Sequence, residues 1–184
     1  MVDRKVGRVR EFFKDLGLNF DRVFCSKTKR TIETLGIVIE DFRVRNNVFI
    51  DERLCERYHR DLIGLNKEEV EKIVGKSIVG SFSAQLYFEG TDRSILTDCF
   101  KNDEKIEEIE KRVRSFVDDL KKLDEDFNVL IVGHSIFNQY LLEYLKFGIV
   151  GVDLFCSFQE NNEIRIVDLD KGLNFVNLES IFSD

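Results

Sequence analysis

Apolar residues recur along the chain with two different periods, and these periods predict an alternation of helices and short strands. Helical spacing, with an apolar residue every three or four positions, is found at residues 3–16, 27–42, 66–76, 103–123 and 135–148. Short apolar runs typical of strands lie between these helices, at residues 22–26, 46–54 and 128–133. This alternation predicts an α/β fold with a mostly parallel central sheet.

Three further segments complete this pattern. The run "VLIV" at residues 129–132 is apolar on both faces, as expected of a strand buried in a parallel sheet. Residues 161–170 alternate apolar and polar side chains, which predicts a hairpin or an edge strand. Residues 77–102 follow neither period, and we expect them to form an excursion outside the sheet. No repeat is visible, so we expect residues 1–184 to form a single domain.

The composition is that of a globular protein and excludes two classes of partner. Among 184 residues, 28 basic and 35 acidic side chains leave a net charge of -7, without the basic face that nucleic-acid binding requires. No apolar run approaches the roughly 20 residues of a membrane helix. The charged N-terminus, "MVDRKVGRVREFF", lacks the apolar core of a signal peptide. We therefore expect a cytoplasmic protein that binds neither nucleic acid nor membranes.

The cysteines are widely spaced and form no metal-binding motif. They are Cys25, Cys55, Cys99 and Cys156. Free cysteines are among the most often buried residues, so we expect reduced, buried thiols. We expect neither a metal nor a cofactor, because no motif for either is present.

Ligands of such folds bind beyond the carboxyl ends of the strands, and three turns follow strands at this rim. His134 stands in one of these turns, directly before a helix whose first amides are able to bind an anion. Taken alone, His134 is explained equally simply as an ordinary turn histidine. Arg30 lies near the start of another helix at the same rim, where its planar guanidinium either binds phosphate or remains solvated like its neighbours Lys27 and Lys29.

A polar connection after the second strand gathers several ionisable side chains. They are Glu56, Arg57, His59 and Lys67. Close to a bound phosphate the pKa of a carboxyl group rises, and Glu56 would then be able to act as a general acid. The alternative is a polar surface loop without a function, although functional residues concentrate on loops.

Three segments resemble the histidine phosphatase (phosphoglycerate mutase-like) superfamily, in the order in which they occur there. "FDRVFCSKTKRTIETL" resembles its F-D-x-V-x-x-S-x-x-x-R-x-x-x-T segment, and Arg30 matches the arginine that grips the phosphoryl group. "LCERYHRDLIGLNKEEV" resembles the mutase segment L-x-E-R-x-Y-G-x-x-x-G-L-N-K. "VLIVGHS" resembles V-L-x-V-x-H-G, and "ENNEIRIVDLD" is similar to the last strand of the family.

The resemblance implies a three-layer fold, with helices on both faces of the sheet, and a site for phosphate or a small phosphorylated molecule. His134 matches the second histidine of the phosphate pocket, and Glu56 matches the proton donor. Arg57 and Lys67 match substrate-contacting positions, and His59 aligns with a tyrosine of the mutase motif. The resemblance thus implies His134, Glu56 and Arg30 as catalytic residues, and Arg30, Arg57, His59 and Lys67 as substrate-binding residues.

The sequence also departs from the family. The family's nucleophile is the histidine of an R-H-G triplet that ends a first strand in the middle of the sheet, and this chain contains no R-H-G. "VDRKVGRVREFFKDLGLNFD" already matches the helix that follows that strand. Ser135 and Arg60 each replace a glycine of the family motifs, and "FSAQ" at residues 82–85 stands where mutases carry an arginine pair.

We therefore expect a protein that binds or hydrolyses a small phosphate ester with impaired catalysis, as a phosphatase rather than a mutase. Three interpretations stay open: a shortened product of an active enzyme, a non-catalytic relative that binds a phosphorylated ligand or a protein, and a phosphatase with a rearranged nucleophile such as His59 or Cys25. Without the first strand, buried backbone groups beside it would be unpaired. We expect the flanking strands to pair directly, or the chain to self-associate as a homo-oligomer.

Overall fold

The computed structural model of the chain describes residues 2–42, 44, 47–57, 104–123, 128–151 and 163–182, together with residues 68, 69 and 72. Its helices are α1 (Val2–Asp15), α2 (Lys29–Val38), α3 (Ile106–Leu120) and α4 (Ser135–Phe147), with a short 3-10 helix at Glu52–Leu54. Its strands are β1 (Arg22–Cys25), β2 (Val48–Ile50), β3 (Val129–Val132), β4 (Glu163–Leu169) and β5 (Phe175–Phe182).

The boundaries of two helices differ from the predicted ones. The α2 helix ends at Val38 rather than at residue 42, because the backbone leaves helical geometry at Ile39 (φ -96°, ψ 7°). The α3 helix begins at Ile106 rather than at residue 103. The Glu108 carboxylate accepts a hydrogen bond from the Lys105 amide there, at 2.9 Å. Of the helix predicted at 66–76, residues 68, 69 and 72 are described and are helical. The predicted excursion at 77–102 lies outside the described residues.

Three parallel strands form the central sheet, in the order β2-β1-β3. Val23 of β1 pairs with Val48 of β2 and with Leu130 of β3, and the three strands run in the same direction. Their carboxyl ends therefore lie at one rim, as predicted for a parallel sheet. Within the described residues, no helix has the length and apolar character that a membrane span requires.

The side chains of the sheet alternate between two apolar clusters, and this alternation makes three layers. Val23 and Cys25, both 0% exposed, belong to a cluster with residues of α1 and α2. Phe24, between them, packs on the cluster that α3 and α4 form on the other face, where it meets the Phe116 ring edge-on at 5.2 Å. The predicted three-layer α/β fold with helices on both faces is thus confirmed, and its cause is the period of two along β1.

The last two strands, β4 and β5, form an antiparallel hairpin, as the alternating pattern predicted. Ile164 and Ile166 of β4 pack with the α1–α2 cluster, which also receives Leu130 and Val132 of β3. In the described part of the chain, however, β3 pairs with β1 and β4 pairs with β5, so the hairpin is a separate sheet. The direct pairing of flanking strands that we expected is not found there, and self-association stays a prediction.

A charged network fixes the segment after β2 against α3. The Arg53 guanidinium contacts both carboxylate oxygens of Asp51, and its Nη1 lies 2.7 Å from Asp119 Oδ2 on α3. Leu54, next to Arg53 in the sequence, is fully buried in the α3–α4 cluster. The segment that follows, which carries Glu56, therefore starts from an anchored position.

Candidate active site

The ends of β1 and β3 bring two chain segments together at the rim of the sheet. Cys25 of β1 pairs with Val132 of β3, and the Ser26 amide continues the ladder by donating to the Val132 carbonyl at 3.0 Å. Just beyond these strands, Ser26 and His134 leave the sheet side by side. The Asp51 amide, at the end of β2, donates to the Cys25 carbonyl at 2.8 Å.

His134 is buried at this rim and contacts three side chains. It is the N-cap residue of α4, with an extended backbone, and it is 6% exposed. Its Nε2 lies 3.0 Å from Ser26 Oγ and 3.3 Å from Thr28 Oγ1, and its Nδ1 lies 2.9 Å from Nη2 of Arg30. The N-cap of α2 is Thr28, and Ser26, two positions earlier, is a partner of His134.

These contacts fix the tautomer of His134. An arginine side chain only donates hydrogen bonds, so Nδ1 has to accept from Arg30 and Nε2 carries the proton. The Ser26 hydroxyl then accepts from Nε2 and donates to the sulfur of Cys55, 3.4 Å away. Burial lowers the pKa of His134 to about 4, with further contributions from the positive charges of Arg30 and Arg112. At neutral pH the imidazole is therefore uncharged.

Arg30 is exposed although it contacts a buried histidine. It lies on the first turn of α2, which begins at Lys29. The Thr31 hydroxyl, 5% exposed, helps to hold this helix start against β1 by donating to the Ser26 carbonyl at 2.9 Å. Within the described part of the chain, the Arg30 side chain makes one hydrogen bond, and this is the contact with His134. Four of its five N–H groups are thus available to a ligand in front of the rim.

Glu56 binds the start of α4, immediately beside His134. Its Oε1 accepts from the Phe137 amide at 3.1 Å and from the Arg57 amide at 3.0 Å, and its Oε2 accepts from the Ile136 amide at 3.4 Å. A carboxylate is favoured at this position because the first amides of a helix are unpaired and carry partial positive charge. Arg30, Glu56 and His134, which are far apart in sequence, therefore meet at one helix start.

The remaining predicted residues divide into two groups. Arg57 is half-buried, and its Nε donates to the Glu104 carbonyl at 3.2 Å, on the side of α3. His59 and Lys67 lie outside the described residues. None of the described His, Cys, Asp and Glu residues form a group of three that would hold a metal ion.

The two described cysteines are unsuited to nucleophilic chemistry. Cys25 is 0% exposed and Cys55 is 3% exposed, and both are free thiols, as predicted. Burial raises the pKa of Cys25, although a hydrogen bond with Thr31 lowers it. Because the thiolate is the attacking form, a buried thiol with a raised pKa is a poor nucleophile. Cys99 and Cys156 lie outside the described residues.

Arg112 of α3 is a residue of the site that sequence reasoning missed. Its Nη1 donates to the carbonyls of Arg53 and Cys55 at 2.5 and 2.6 Å, just before Glu56. In the sequence it is one of several charged residues on the polar side of an amphipathic helix, and Arg114 two positions later has the same appearance. No local pattern distinguishes Arg112 from Arg114, because the burial of Arg112 depends on the packing of α3 against the Glu56 segment.

A parallel α/β sheet with an arginine, a histidine and a glutamate at its carboxyl rim is the arrangement that the three sequence resemblances implied. A sequence model of the histidine phosphatase superfamily (branch 1) matches residues 4–179. The chain belongs to the histidine phosphatase superfamily, and the predicted family is confirmed.

Curated relatives include phosphoglycerate mutases. The phosphoglycerate mutase of Schizosaccharomyces pombe is 40% identical over 63 residues, which cover 34% of this chain and 30% of that protein. The 2,3-bisphosphoglycerate-dependent phosphoglycerate mutase of Cytophaga hutchinsonii is 29% identical over 130 residues, which cover 70% of this chain and 56% of that protein. The matched parts of the chain thus span 30% and 56% of the length of these two relatives.

Among solved structures, the mycobacterial glucosyl-3-phosphoglycerate phosphatase in complex with inorganic phosphate has the same fold. It superposes with a TM-score of 0.70 at 15% sequence identity, over 99% of this chain and 84% of that chain. At this level of identity the match concerns the fold. That mycobacterial phosphatase was solved with inorganic phosphate bound.

Proposed function

We propose that this chain binds a small phosphate monoester at the ends of β1 and β3, with Arg30 and His134 as the residues that hold the phosphoryl group. The observation that carries this proposal is the distance of 2.9 Å between Arg30 Nη2 and His134 Nδ1. An exposed guanidinium beside a histidine at a helix start offers a planar fork and positive charge to a dianion. The membership in the superfamily supports the same ligand class.

The ligand changes the protonation of His134. In the free protein its Nδ1 accepts from Arg30, and the pKa of about 4 keeps the ring neutral. A phosphate dianion on Arg30 offsets the positive charge that lowers this pKa. His134 then takes up a proton at Nδ1 and donates it as a hydrogen bond to a phosphate oxygen. Binding is thereby coupled to the uptake of a proton.

Glu56 is the group that we assign to the leaving oxygen. In the present arrangement both of its oxygens accept amide hydrogens, so Glu56 is held at the start of α4 within the same turn as His134. In the hydrolysis that we propose, water forms the new bond to phosphorus while the bond between phosphorus and the leaving oxygen breaks. A protonated Glu56 gives its proton to that leaving oxygen, and the attacking water returns a proton to Glu56. The Ile136 contact, at 3.4 Å, is the longer one and is the one that a rotation of the carboxyl group would release first.

Hydrolysis by these 184 residues is proposed to be slow, because no R-H-G triplet supplies the superfamily's nucleophile. Phosphoryl binding and charge stabilisation remain, and these alone leave a small residual rate in other enzymes. Hydrolysis is favoured over mutase activity by "FSAQ" at residues 82–85. The absent triplet equally favours the second candidate, a non-catalytic module that binds a phosphorylated ligand or a protein.

Calorimetry with inorganic phosphate, vanadate and 3-phosphoglycerate tests the proposed site. We expect binding by the wild type and by Arg114→Ala, because the Arg114 side chain is exposed and pairs with Glu110 on α3. Arg30→Ala should weaken binding about tenfold or more, as expected for a charge-assisted bidentate contact. No binding, or equal binding by Arg30→Ala and the wild type, would rule out this site.

A hydrolysis assay with p-nitrophenyl phosphate separates the two candidates. Slow turnover that is lost in His134→Ala supports a phosphatase. Phosphate binding without turnover supports the non-catalytic module. Turnover that is equal in His134→Ala and the wild type would place the activity elsewhere.

A further inference from the structure

We propose that Arg112 is a positioning residue that holds Glu56 at the start of α4. The importance of this role rests on the function proposed for Glu56, but the role itself is a statement about where the carboxylate lies. Arg112 is on α3, and its side chain is 14% exposed. It contacts the chain on both sides of the junction between the Glu56 segment and α4.

On the first side, Arg112 holds the backbone that leads into Glu56. Its Nη1 donates to the Arg53 and Cys55 carbonyls, so a single nitrogen bridges two residues of the segment that ends at Glu56. These carbonyls lie at the end of a short 3-10 helix, where the last carbonyl groups have no partner within the helix. The direction of the chain at Glu56 is therefore set by Arg112.

On the other side, Arg112 lies over the residue whose amide binds Glu56. Its guanidinium carbon is 4.6 Å from the centre of the Phe137 ring, and the Phe137 amide donates to Glu56 Oε1 at 3.1 Å. Phe137 is 0% exposed, so this contact of a cation with an aromatic ring is shielded from water. One side chain thus locates both the carboxylate and its principal donor.

Glu104 fixes the guanidinium in this orientation. Nε and Nη2 of Arg112 donate to the two Glu104 oxygens at 2.6 and 2.9 Å, which is the bidentate arrangement of an arginine and a carboxylate. Together with the two carbonyls, four of the five N–H groups of Arg112 have protein partners. Arg30, which uses one, is by contrast suited to a ligand. The same residue type therefore has opposite roles at the two places.

A lysine cannot replace Arg112 in this role. Its ammonium group has three donors on a flexible stem and no planar fork, so it cannot bind Glu104 in a bidentate manner and bridge the two carbonyls at once. It does retain the positive charge. Arg112→Lys therefore separates the position of Glu56 from the electrostatic effect of Arg112 on His134, which lowers the pKa of that histidine.

Hydrogen exchange measured by NMR on the full chain tests the proposal. The readout is the exchange rate of the Phe137 amide relative to that of Leu141, which lies inside α4. In Arg112→Lys we expect the Phe137 amide to exchange about tenfold faster relative to Leu141, corresponding to about 1.4 kcal/mol for the weakened contact with Glu56. Glu56→Gln should have a similar effect. The double variant should add little to it, because the two residues act through one contact.

Matched variants of Arg114 serve as controls. Arg114→Lys changes the same residue type two positions away and should leave both amides as in the wild type, since its partner Glu110 is on the surface of α3. The pKa of His134 should stay near 4 in Arg112→Lys and rise in Arg112→Ala. A general loss of stability would accelerate exchange of the Leu141 amide as much as that of the Phe137 amide. If Arg112→Ala does not fold, Arg112→Lys still provides the exchange measurement.

Equal relative exchange of Phe137 in Arg112→Lys and the wild type would overturn the proposal, as would additive effects in the double variant. Neither measurement requires a phosphorylated ligand. A chain that fails to bind phosphate but shows the predicted exchange would therefore refute the proposed function and leave the positioning role of Arg112 intact.

Discussion

Nη2 of Arg30 lies 2.9 Å from Nδ1 of His134, and this contact decides the chemical state of the histidine. The guanidinium donates, so the imidazole nitrogen has to present a lone pair, and its proton resides on Nε2 beside Ser26 Oγ at 3.0 Å. In the function that we propose, a neutral histidine and an exposed arginine are the ligand-free state of the phosphate site.

The tautomer and the pKa of His134 are directly measurable. We expect long-range proton–nitrogen NMR spectra to show the proton on Nε2 at neutral pH, and the titration of this ring to have its midpoint near pH 4. His134→Gln identifies the signal, because His59 is the second histidine of the chain. A proton on Nδ1, or a midpoint near the ordinary value of 6.5, would contradict the hydrogen-bond arrangement.

Arg30→Ala should raise the pKa of His134 without restoring its ordinary value. Burial is the largest cause of the lowered pKa and remains in the variant, whereas the positive charge of Arg30 is removed. The NMR titration midpoint should therefore move above 4 and stay below 6.5. Arg114→Ala should leave the midpoint unchanged. An unchanged or lower midpoint in Arg30→Ala would contradict the effect of the Arg30 charge on His134.

The stability of the protein should fall as the pH is lowered from about 6.5 to about 4. In this window the unfolded chain binds a proton at His134 and the folded chain does not, so the free energy of unfolding decreases with decreasing pH. At about 1.4 kcal/mol for each pKa unit, the decrease due to His134 reaches about 3 kcal/mol.

Denaturant titrations of the wild type and His134→Gln measure this contribution. The variant lacks the titrating ring, so its unfolding free energy should not contain this decrease. As the pH falls, the wild type should therefore lose stability relative to the variant. Parallel pH profiles of the wild type and His134→Gln would be inconsistent with the lowered pKa.

Phosphate binding should take up a proton at His134. Calorimetric enthalpies at pH 7 in buffers with different ionisation enthalpies report the number of protons exchanged on binding. We expect the wild type to take up more protons than His134→Gln, because the bound dianion favours the charged imidazole. The variant is the control for protons that inorganic phosphate itself exchanges. Equal proton uptake by both proteins would contradict the proposed role of His134 in phosphate binding.

Two glycines should respond to alanine in opposite directions. Gly148 ends α4 with φ 74°, so Gly148→Ala forces a side chain into the left-handed region and should destabilise the protein by about 1–2 kcal/mol. Gly36 lies inside α2 with open space around it, and Gly36→Ala should stabilise the protein by about 0.5–1 kcal/mol. Chemical denaturation checks both values, and equal signs would contradict the position of Gly148 at the end of α4 or that of Gly36 inside α2.

Local pattern was sufficient to predict most of the described helices and strands and to propose where the candidate site lies. The helix at residues 106–120 and the strand at 129–132 can each be predicted from residues close in sequence, because the helical period spans one turn and the apolar run spans one strand. The motif around Arg30, the acidic segment at Glu56 and the turn at His134 identified the superfamily. Because parallel strands end at one rim, these segments were expected to lie together, and the contacts among them agree with this expectation.

Long-range contacts explain what local pattern did not predict. Arg112 and Arg114 are indistinguishable in sequence, yet one binds Glu104 and two backbone carbonyls while the other pairs with Glu110 on the surface. Ser26 directly precedes the predicted helix at residues 27–42, yet its hydroxyl lies 3.0 Å from the ring of a histidine 108 positions away. The end of α2 at Val38 and the strand at Phe175–Phe182 were likewise not predicted from local pattern.

The sequence alone therefore predicted the α/β class and the superfamily, which are confirmed, and proposed three residues of the candidate site, since these depend on residue type and on spacing along the chain. The tertiary structure established the tautomer of His134, the place of Glu56 at the start of α4 and the opposite roles of Arg30 and Arg112. The physical reason is that burial and hydrogen-bond partners determine protonation and orientation, and both arise only when distant segments pack together.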